Sequence, residues 1–332
     1  METPSDARLA DEESRPAAAA QHPPDHHRSV LLDEVLEALQ PHGGIGFTAV
    51  DCTTNGGGHT AALLERSSPD GRVLGLDADT SALALARVRL APFDGRFVLA
   101  QCNFRDLPRA AAEHGFGGGV HAVIADLGLS SVQLDLSGRG FSFQGDEPLD
   151  MRFDEAAGTA TAADLLNTLD EAELAALFRE YGEEPRARRL ASVVIRRRER
   201  APFARTGDLV AAAMQALGPR RGRTHPATRV FQALRVKVND ELGALDAMLD
   251  AALAALHPGG RLAVITFHSL EDRLVKWRFR GWAQPEEGVP TARILTRKPI
   301  VPSDAEVRHN PRARSAKLRV VERLAPHVEV PA

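Results

Sequence analysis

Cysteine is scarce in this chain of 332 residues: there are two, Cys52 and Cys102. Neither has a partner at metal-site spacing, and two thiols make no disulfide framework, so both scaffolds are set aside and a reducing compartment fits. No apolar run approaches the roughly 20 residues that span a bilayer. Residues 1–27 lack the apolar core of a secretory signal, and their Asp and Glu argue against a mitochondrial transit peptide. A cytoplasmic protein with no membrane partner is expected. No internal repeat is visible, and the G-x-G-x-x-G loop of dinucleotide enzymes is missing.

What the chain does have is a globular composition. Hydrophobic residues make up 43%, and the length allows one large or two ordinary domains. Net charge is −4, which alone points to no nucleic acid. Its distribution is uneven. Between residues 186 and 237, fourteen Arg and Lys face only Glu199 and Asp208, a local balance of +12, so the rest of the chain carries −16. The asymmetry says more about partners than the total does.

Residues 49–59, AVDCTTNGGGH, read as an apolar strand, a tight glycine turn and a helix start. Glycines let backbone approach a ligand, and a helix N-terminus presents free N–H groups. A second strand ends in Asp77, about 20 residues past the glycines, where nucleotide-binding folds place a carboxylate on a ribose hydroxyl. The spacing suits an adenosine-containing cofactor; the bland alternative is a glycine turn in an α/β core.

Residues 1–27 read as a disordered tail, with His26 and His27 solvated in it. Beyond it, an apolar helical face (Val30, Leu31, Val35, Leu36) precedes strands over 47–52, 73–77, 97–101 and 121–126 and helices over 58–65 and 81–90. Such alternation implies a parallel, doubly wound sheet with ligands at the carboxyl ends of its strands. Asp51, Asp77 and Asp126 all fall there, although a lone strand-end Asp is as readily a helix cap. After an irregular stretch to Asp154, residues 161–216 are helical in character with no convincing strand. An inserted all-helical domain over 137–223 is expected. One long amphipathic helix then runs from Val230 to Leu256, and a strand over 261–267 ends at His268. A helix over 270–279 and closing strands over 292–296 and 317–322 complete the reading.

These residues resemble a known family. The helix–Pro-Gly-Gly–strand element at 257–265 is similar to that of class I S-adenosylmethionine (SAM) methyltransferases. The whole chain resembles the bacterial RsmH (MraW) family. The matching segments include 27–34 (HRSVLLDE), 57–59 (GGH), 126–135 (DLGLSSVQLD), 139–143 (RGFSF) and 148–152 (PLDMR). They continue through 181–183 (YGE), 225–232 (HPATRVFQ), 266–273 (TFHSLEDR) and 310–315 (NPRARS). The resemblance implies a Rossmann-like methyltransferase domain over 28–136 and 224–325, a basic RNA-recognition insert over 137–223 and a tail over 326–332. It implies SAM as cofactor, no metal, and methylation of N4 of a decoding-centre cytidine in 16S rRNA of the small ribosomal subunit. The oligomeric state stays open.

Carried over position by position, Gly57, Gly58 and His59 belong to the loop around SAM, Asp77 to its ribose and Phe104 to its adenine. Asp126 and Gln133 stand near the cofactor. Asn55 replaces a family glycine, and Asn tolerates the left-handed backbone such a turn needs. The cytosine amino lone pair is delocalised, so an acceptor for its hydrogen would help it attack. Asp126 is one choice, its other reading being cofactor binding alone. The Asp/Asn-Pro-Pro-aromatic motif of related amino-methyltransferases is absent here. His268 is a second choice for proton transfer, against an ordinary structural histidine. Phe141, Phe143 and Phe267 could stack on a base or simply pack. Arg186, Arg188 and Arg189, Arg196–Arg198 with Arg200, and Arg220, Arg221 and Arg223 suit a phosphate backbone or a solvated helix face. A non-catalytic RNA-binding assembly factor on this fold, resting on Asn55 alone, and an NAD-dependent oxidoreductase are the competing readings.

Overall fold

Short apolar strands between amphipathic helices bury both faces of a central sheet. The computed structural model describes residues 28–40, 46–129, 134, 137–219 and 225–326. Helix α1 (Leu32–Leu39) is followed by β1 (Thr48–Asp51), α2 (Gly58–Arg66), β2 (Arg72–Asp77), α3 (Thr80–Leu90), β3 (Phe97–Gln101), α4 (Leu107–Glu113) and β4 (Val120–Asp126). Helices α5 (Ala162–Thr168), α6 (Glu171–Glu180), α7 (Ala187–Arg198) and α8 (Thr206–Leu217) come next, with no strand among the described residues between them. The chain closes with α9 (Ala227–Val238), α10 (Glu241–Ala255), β5 (Leu256–Thr266), α11 (Ser269–Ala283), β6 (Ala292–Ile294), α12 (Asp304–His309) and β7 (Lys317–Arg323).

The strands lie in one seven-stranded sheet in the order β3-β2-β1-β4-β5-β7-β6. The first five are parallel, and β7 runs antiparallel to both β5 and β6. This is the expected α/β, doubly wound, Rossmann-like sheet. The order turns outward on both sides from β1 and β4, so the crevice at their carboxyl ends is the switch point where such sheets bind ligands. The register puts Asp51 opposite Gly75 and Ile124, and Asp77 opposite Gln101. The strand ends therefore meet along one edge. Among the described residues, no helix is long and apolar enough to cross a membrane.

Helices α5 and α6 start where the sequence caps them. Thr161 pairs with Asp164, and Asp170 with Glu173, each side chain bonding the other's backbone N–H. Their apolar faces join α7, α8 and residues of the 141–151 segment in one cluster around Leu166, Phe178, Leu190 and Leu209. The irregular segment is fastened to it, with Leu149 N–H donating to Ala204 O and Met151 N–H to Arg139 O.

Two expectations differ from the structure. The long helix from Val230 is broken in two at Asn239 and Asp240, where Asp240 takes φ +46°. The first piece, α9, packs Val230, Phe231, Leu234 and Val238 into the helical cluster, while Leu245, Met248 and Leu249 of α10 pack on the sheet. The boundary expected at 223 thus divides packing that runs to Val238, because a continuous apolar stripe does not record that its halves face different partners. Helix α4 is not evident in the sequence either. Its Ala-rich face, with Ala110 and Ala111 buried, packs beneath the sheet with little large apolar surface. The proposed tail over 1–27, Gln133, Arg220, Arg221 and Arg223, and residues 327–332 lie outside the described residues.

Candidate active site

The loop after β1 is held from below by Asp51. This carboxylate is fully buried; it accepts Thr53 N–H at 3.1 Å and the Thr60 hydroxyl at 2.6 Å. Burial pushes its carboxyl up to about 6, the hydrogen bonds opposing. Asp51 fastens the loop to the first turn of α2. Thr54 then crosses over β2, donating its N–H at 2.9 Å and its hydroxyl at 3.1 Å to Leu76 O. The crossing explains Gly75: a Cβ there would lie 2.6 Å from Thr54 Oγ1 and 2.8 Å from Leu99 Cδ2.

Asn55 occupies the left-handed region at φ +49°, donating its N–H to Asp77 Oδ2 at 2.8 Å. Asn55 thus holds the left-handed turn. Gly57 caps α2 at φ +76°, and a Cβ on Gly58 would fall 2.0 Å from Ser29 Oγ. Gly58 lets the helix start pack against the chain before α1, and Gly57 lets it pack against Ala86 of α3, 3.2 Å from where a Cβ would lie.

Below the loop opens a cleft holding about 680 Å³ of atom-free space, part of it continuous with solvent. Asp77 and Phe104 of the expected cofactor set line it, as do Asn55, Asn239, Glu241 and Glu271. Gly57, Gly58, His59 and Asp126 are not among its lining residues. Asp77 accepts two backbone N–H groups, from Asn55 and, at 2.9 Å, from Asp79, and burial pushes it up to about 6. The capping role falls to Asp79, which accepts Ser81 N–H at the start of α3. Arg139 reaches across from the irregular segment to pair with Asp79 and to donate to Phe153 O at 2.9 Å. That contact ties the cleft wall at Phe153 to the loop beneath Asp77.

Asp126 lies behind the same loop, its own N–H held by Thr53 Oγ1 at 2.6 Å. Its Oδ2 is 3.6 Å from His59 Nδ1. Burial pulls His59 down to about 4, so the imidazole is neutral at physiological pH. Its Nε2 lies 3.1 Å from Val30 O; a carbonyl can only accept, so Nε2 carries the hydrogen and the Nδ1 lone pair faces Asp126. Burial, with Asp51 and Glu271 as like charges, raises the Asp126 carboxyl well above the usual range. Asp126 Oδ1 is buried with no hydrogen-bond partner among the described residues.

His268 does not stand free at a strand end. It is the N-cap of α11, its Nδ1 accepting Glu271 N–H at 3.4 Å while Glu271 Oε2 accepts Phe267 N–H at 2.8 Å. Its Nε2 sits 3.0 Å from Glu271 Oε1, close enough for an ion pair but not aligned as a hydrogen bond. Burial raises the Glu271 carboxyl, and its interactions with His268, Arg235 and the Phe267 N–H outweigh it, leaving it below the usual range. Beside it, Arg235 of α9 forks onto Glu241 of α10 at 2.7 and 2.9 Å, both side chains nearly buried. Sequence reasoning missed Glu241, Asn239 and Glu271. The His268–Glu271 spacing of a capping box is a readable signal for the last; nothing local marks the other two, which the break before α10 brings to the cleft.

The three phenylalanines are packing residues. Phe141 is buried and stacked on Phe153, with ring centroids 5.5 Å apart. Phe143 stacks on His225 at 4.9 Å and meets Phe231 edge-on, and Phe267 packs under the sheet. The arginines divide. Arg186 donates to Leu217 O at 2.7 Å, and Arg198 to Leu166 O and Leu169 O at 3.0 and 2.6 Å, so both close helix ends. Arg188 and Arg189 are exposed. Arg196, Arg197 and Arg200 line a surface hollow of about 670 Å³ together with Asp208.

The model of the MraW methylase family matches residues 25–324. The chain belongs to the MraW methylase family. A ribosomal RNA small subunit methyltransferase H from Symbiobacterium thermophilum is 49% identical over 312 residues, covering 90% of this chain and 97% of that protein. One of the same name from Geobacter sulfurreducens is 50% identical over 311 residues, covering 90% and 99%. A third, from Thermomicrobium roseum, is 49% identical over 310 residues, covering 90% and 94%.

Membership makes the chain a SAM-dependent methyltransferase, and its residues fit that cofactor. The cleft sits at the switch point, Asp77 retains free lone pairs at its wall, and the orphaned Asp126 Oδ1 waits for a donor. The cationic sulfonium suits surroundings that hold Asp77, Asp126, Glu241 and Glu271 against Arg235. An NAD-type loop is absent, and the Asn55 turn is intact, so neither competing reading gains support.

Proposed function

We propose that this chain methylates the N4 amino group of a decoding-centre cytidine in 16S rRNA, acting on the small ribosomal subunit. The observation that carries the reading is near-full-length similarity to proteins named as small-subunit rRNA methyltransferases, together with a cofactor cleft at the switch point of the sheet. The nucleotide rests on the family resemblance of the motifs from 27 to 315. Cytoplasmic location follows from a ribosomal substrate.

SAM, when bound, supplies an electrophilic methyl carbon. The chain's own residues do the rest. Asp77 offers its remaining lone pairs to ribose hydroxyls, and Phe104 walls the adenine side. Gly57, Gly58 and His59 shape the start of α2, with His59 anchored on Val30 O. The Asp126 carboxyl, raised by burial, ionises more readily beside a cation. Ionised, it accepts a hydrogen from the cytidine amino group and draws its lone pair out of conjugation. The buried, capping position of His268 favours a positioning role over proton transfer. Exposed Arg188, Arg189, Arg196 and Arg200, with half-buried Arg197 beside them, meet the phosphate backbone, as do Arg220, Arg221 and Arg223 in this reading. The helical layer, from the 137–154 segment through α9, acts as the RNA-recognition unit.

The test is transfer of tritiated methyl from SAM onto small subunits lacking the modification, with mass spectrometry of the digested rRNA. One N4-methylated cytidine in the decoding centre is expected. Clear SAM binding without incorporation into subunits or free 16S rRNA would overturn the substrate. Asp126→Asn separates its two roles: lower kcat with SAM affinity kept marks a hydrogen acceptor, and lost affinity marks a binding residue alone.

A further inference from the structure

Further along the helix that begins at the cleft lies a second cationic surface that the methyl-transfer reading does not use. Between α11 and the β6–β7 edge of the sheet runs a groove of about 1290 Å³. Lys276, Arg280, Arg293, Arg297 and Arg319 line it, and among the described residues no carboxylate does. Two of the five are neutralised from outside the groove. Arg293 pairs with Glu322 at 2.7 Å, and the nearly buried Arg319 with Asp272 at 2.7 Å. Lys276, Arg280 and Arg297 are exposed, and no acid among the described residues is paired with them.

Trp277 stands beside the groove with 55% of its surface exposed, the largest side chain among the exposed hydrophobics. Lys276 Nζ lies 5.8 Å and Arg280 Cζ 5.5 Å from its ring centroid. Both distances are within reach of a cation–π contact. The indole, which does not itself line the groove, restrains two of the groove's cations at its rim. Edge protection accounts for charge on the short strand β6, but not for an exposed tryptophan and two held cations on a helix facing it. Restrained cations, no lining anion among the described residues and an exposed tryptophan beside them are features that hold a nucleic-acid backbone.

We propose that the α11–β6 groove is a second docking surface for the RNA substrate, contacting phosphates at a distance from the reacting base. This rests on the reading of the chain as an rRNA methyltransferase. Helix α11 begins at Ser269, next to Glu271 of the cleft; at 1.5 Å per residue, Trp277 and Arg280 lie roughly 12–16 Å further along it. RNA entering the cleft from this side crosses the groove, while the helical layer holds it on the other side. The enzyme then grips a folded subunit at two places, and the base is delivered between them.

The experiment compares the full chain with K276E/R280E/R297E and K276Q/R280Q/R297Q in binding to 16S rRNA across a KCl series, with SAM affinity as the control. SAM affinity is expected to stay within twofold, since none of the three touches the cleft. The glutamine variant should bind rRNA about tenfold more weakly near physiological salt, with a log–log salt slope shallower by about 2 as phosphate contacts disappear. The glutamate variant should bind more weakly still. Trp277→Ala should lose part of the affinity while leaving the slope close to wild type. Wild-type slope and affinity in the glutamine variant would overturn the groove, provided the wild-type chain binds rRNA. If the wild-type chain itself neither binds nor methylates rRNA, the proposed function fails first and the groove with it. Should the glutamate variant lose SAM binding by misfolding, the glutamine variant decides alone.

Discussion

The acidic cleft and the basic helical layer use charge in opposite ways. Around the cleft, Asp51 is sealed from water and Asp77 nearly so, and both are already bonded to backbone amides of the loop they support. In the helical layer some arginines are tied to backbone too, with Arg198 closing two carbonyls at the end of α5, while Arg196 and Arg200 line the surface hollow. The difference teaches that a charged residue's role follows from what surrounds it and not from its place in a run. A cluster of arginines in sequence becomes two populations in space, and a carboxylate at a strand end becomes a fastener or a ligand according to which side of the loop it faces.

The sharpest break in the comparison is the place where the two regions meet, the Arg235–Glu241 fork between α9 and α10. Arg235→Ala leaves Glu241 buried without its counter-charge, and breaking such a pair costs about 3–5 kcal/mol. Urea unfolding should show it, with SAM affinity falling as well because Glu241 lines the cleft. Arg235→Met with Glu241→Leu removes both charges and should recover most of the stability. A loss below about 1 kcal/mol in the single variant would show that the fork does not join the regions.

A second prediction tests whether the strand-end carboxylates are strained by burial. Asp51 has its carboxyl raised from 3.8 to about 6. The folded state therefore holds this proton more tightly than the unfolded chain. The group's contribution is fully present below about pH 4 and is lost as pH rises through about 6. A shift of that size corresponds to about 3 kcal/mol. Asp51→Asn keeps an acceptor for Thr53 N–H and cannot ionise. Its stability relative to wild type should therefore rise by about that amount between pH 4 and pH 7. Parallel pH profiles for the two proteins would mean that Asp51 is not buried as described.

Asp77 sharpens the comparison from the ligand side. Asp77→Ala strands the Asn55 and Asp79 amides and removes the acceptor offered to the ribose. Losing such bonds costs about 2 kcal/mol, or roughly 30-fold in affinity. Calorimetry with SAM should show that loss with the methyl-acceptor RNA still bound. Equal SAM affinity in the variant would remove Asp77 from the cofactor site.

The sheet was the most legible part of the sequence because parallel strands, buried on both faces, write themselves as short apolar runs ending in polar turns. Strands over 97–101 and 317–322 fall within a residue of the observed limits. Asp77 at the cleft was legible for the same reason, since strand ends are fixed by the sheet. What could not be read is three-dimensional. The apolar stripe from Val230 to Leu256 is continuous, and only the left-handed Asp240 reveals two helices with different partners. Glu241 reaches the cleft through that break. Hydrogen bonding also escaped the reading: Arg186 and Arg198 look no different in sequence from Arg188 and Arg196, yet their donors end on helix carbonyls. The phenylalanines of 139–143 pack because their neighbours are Phe153, His225 and Phe231, all distant in sequence.

The smallest expected effects come from two arginines two positions apart on α7, and they separate the populations most directly. Arg198 donates to the Leu166 and Leu169 carbonyls; Arg196 lines the surface hollow and bonds the Ser192 hydroxyl of its own helix, at 2.7 Å. Arg198→Ala leaves carbonyls at the α5 terminus without their donor and should cost about 1–2 kcal/mol in unfolding. Its effect on rRNA binding, measured at equal folded fraction, should be slight. Arg196→Ala should change stability by less than about 0.5 kcal/mol, as surface substitutions do. It should weaken rRNA binding a few-fold and make the salt dependence shallower by about 1. The two variants thus cross: one moves the unfolding midpoint and not the binding isotherm, the other the reverse. If both moved binding equally, the hydrogen bonds of Arg198 would be incidental and the arginine run would act as one charged face.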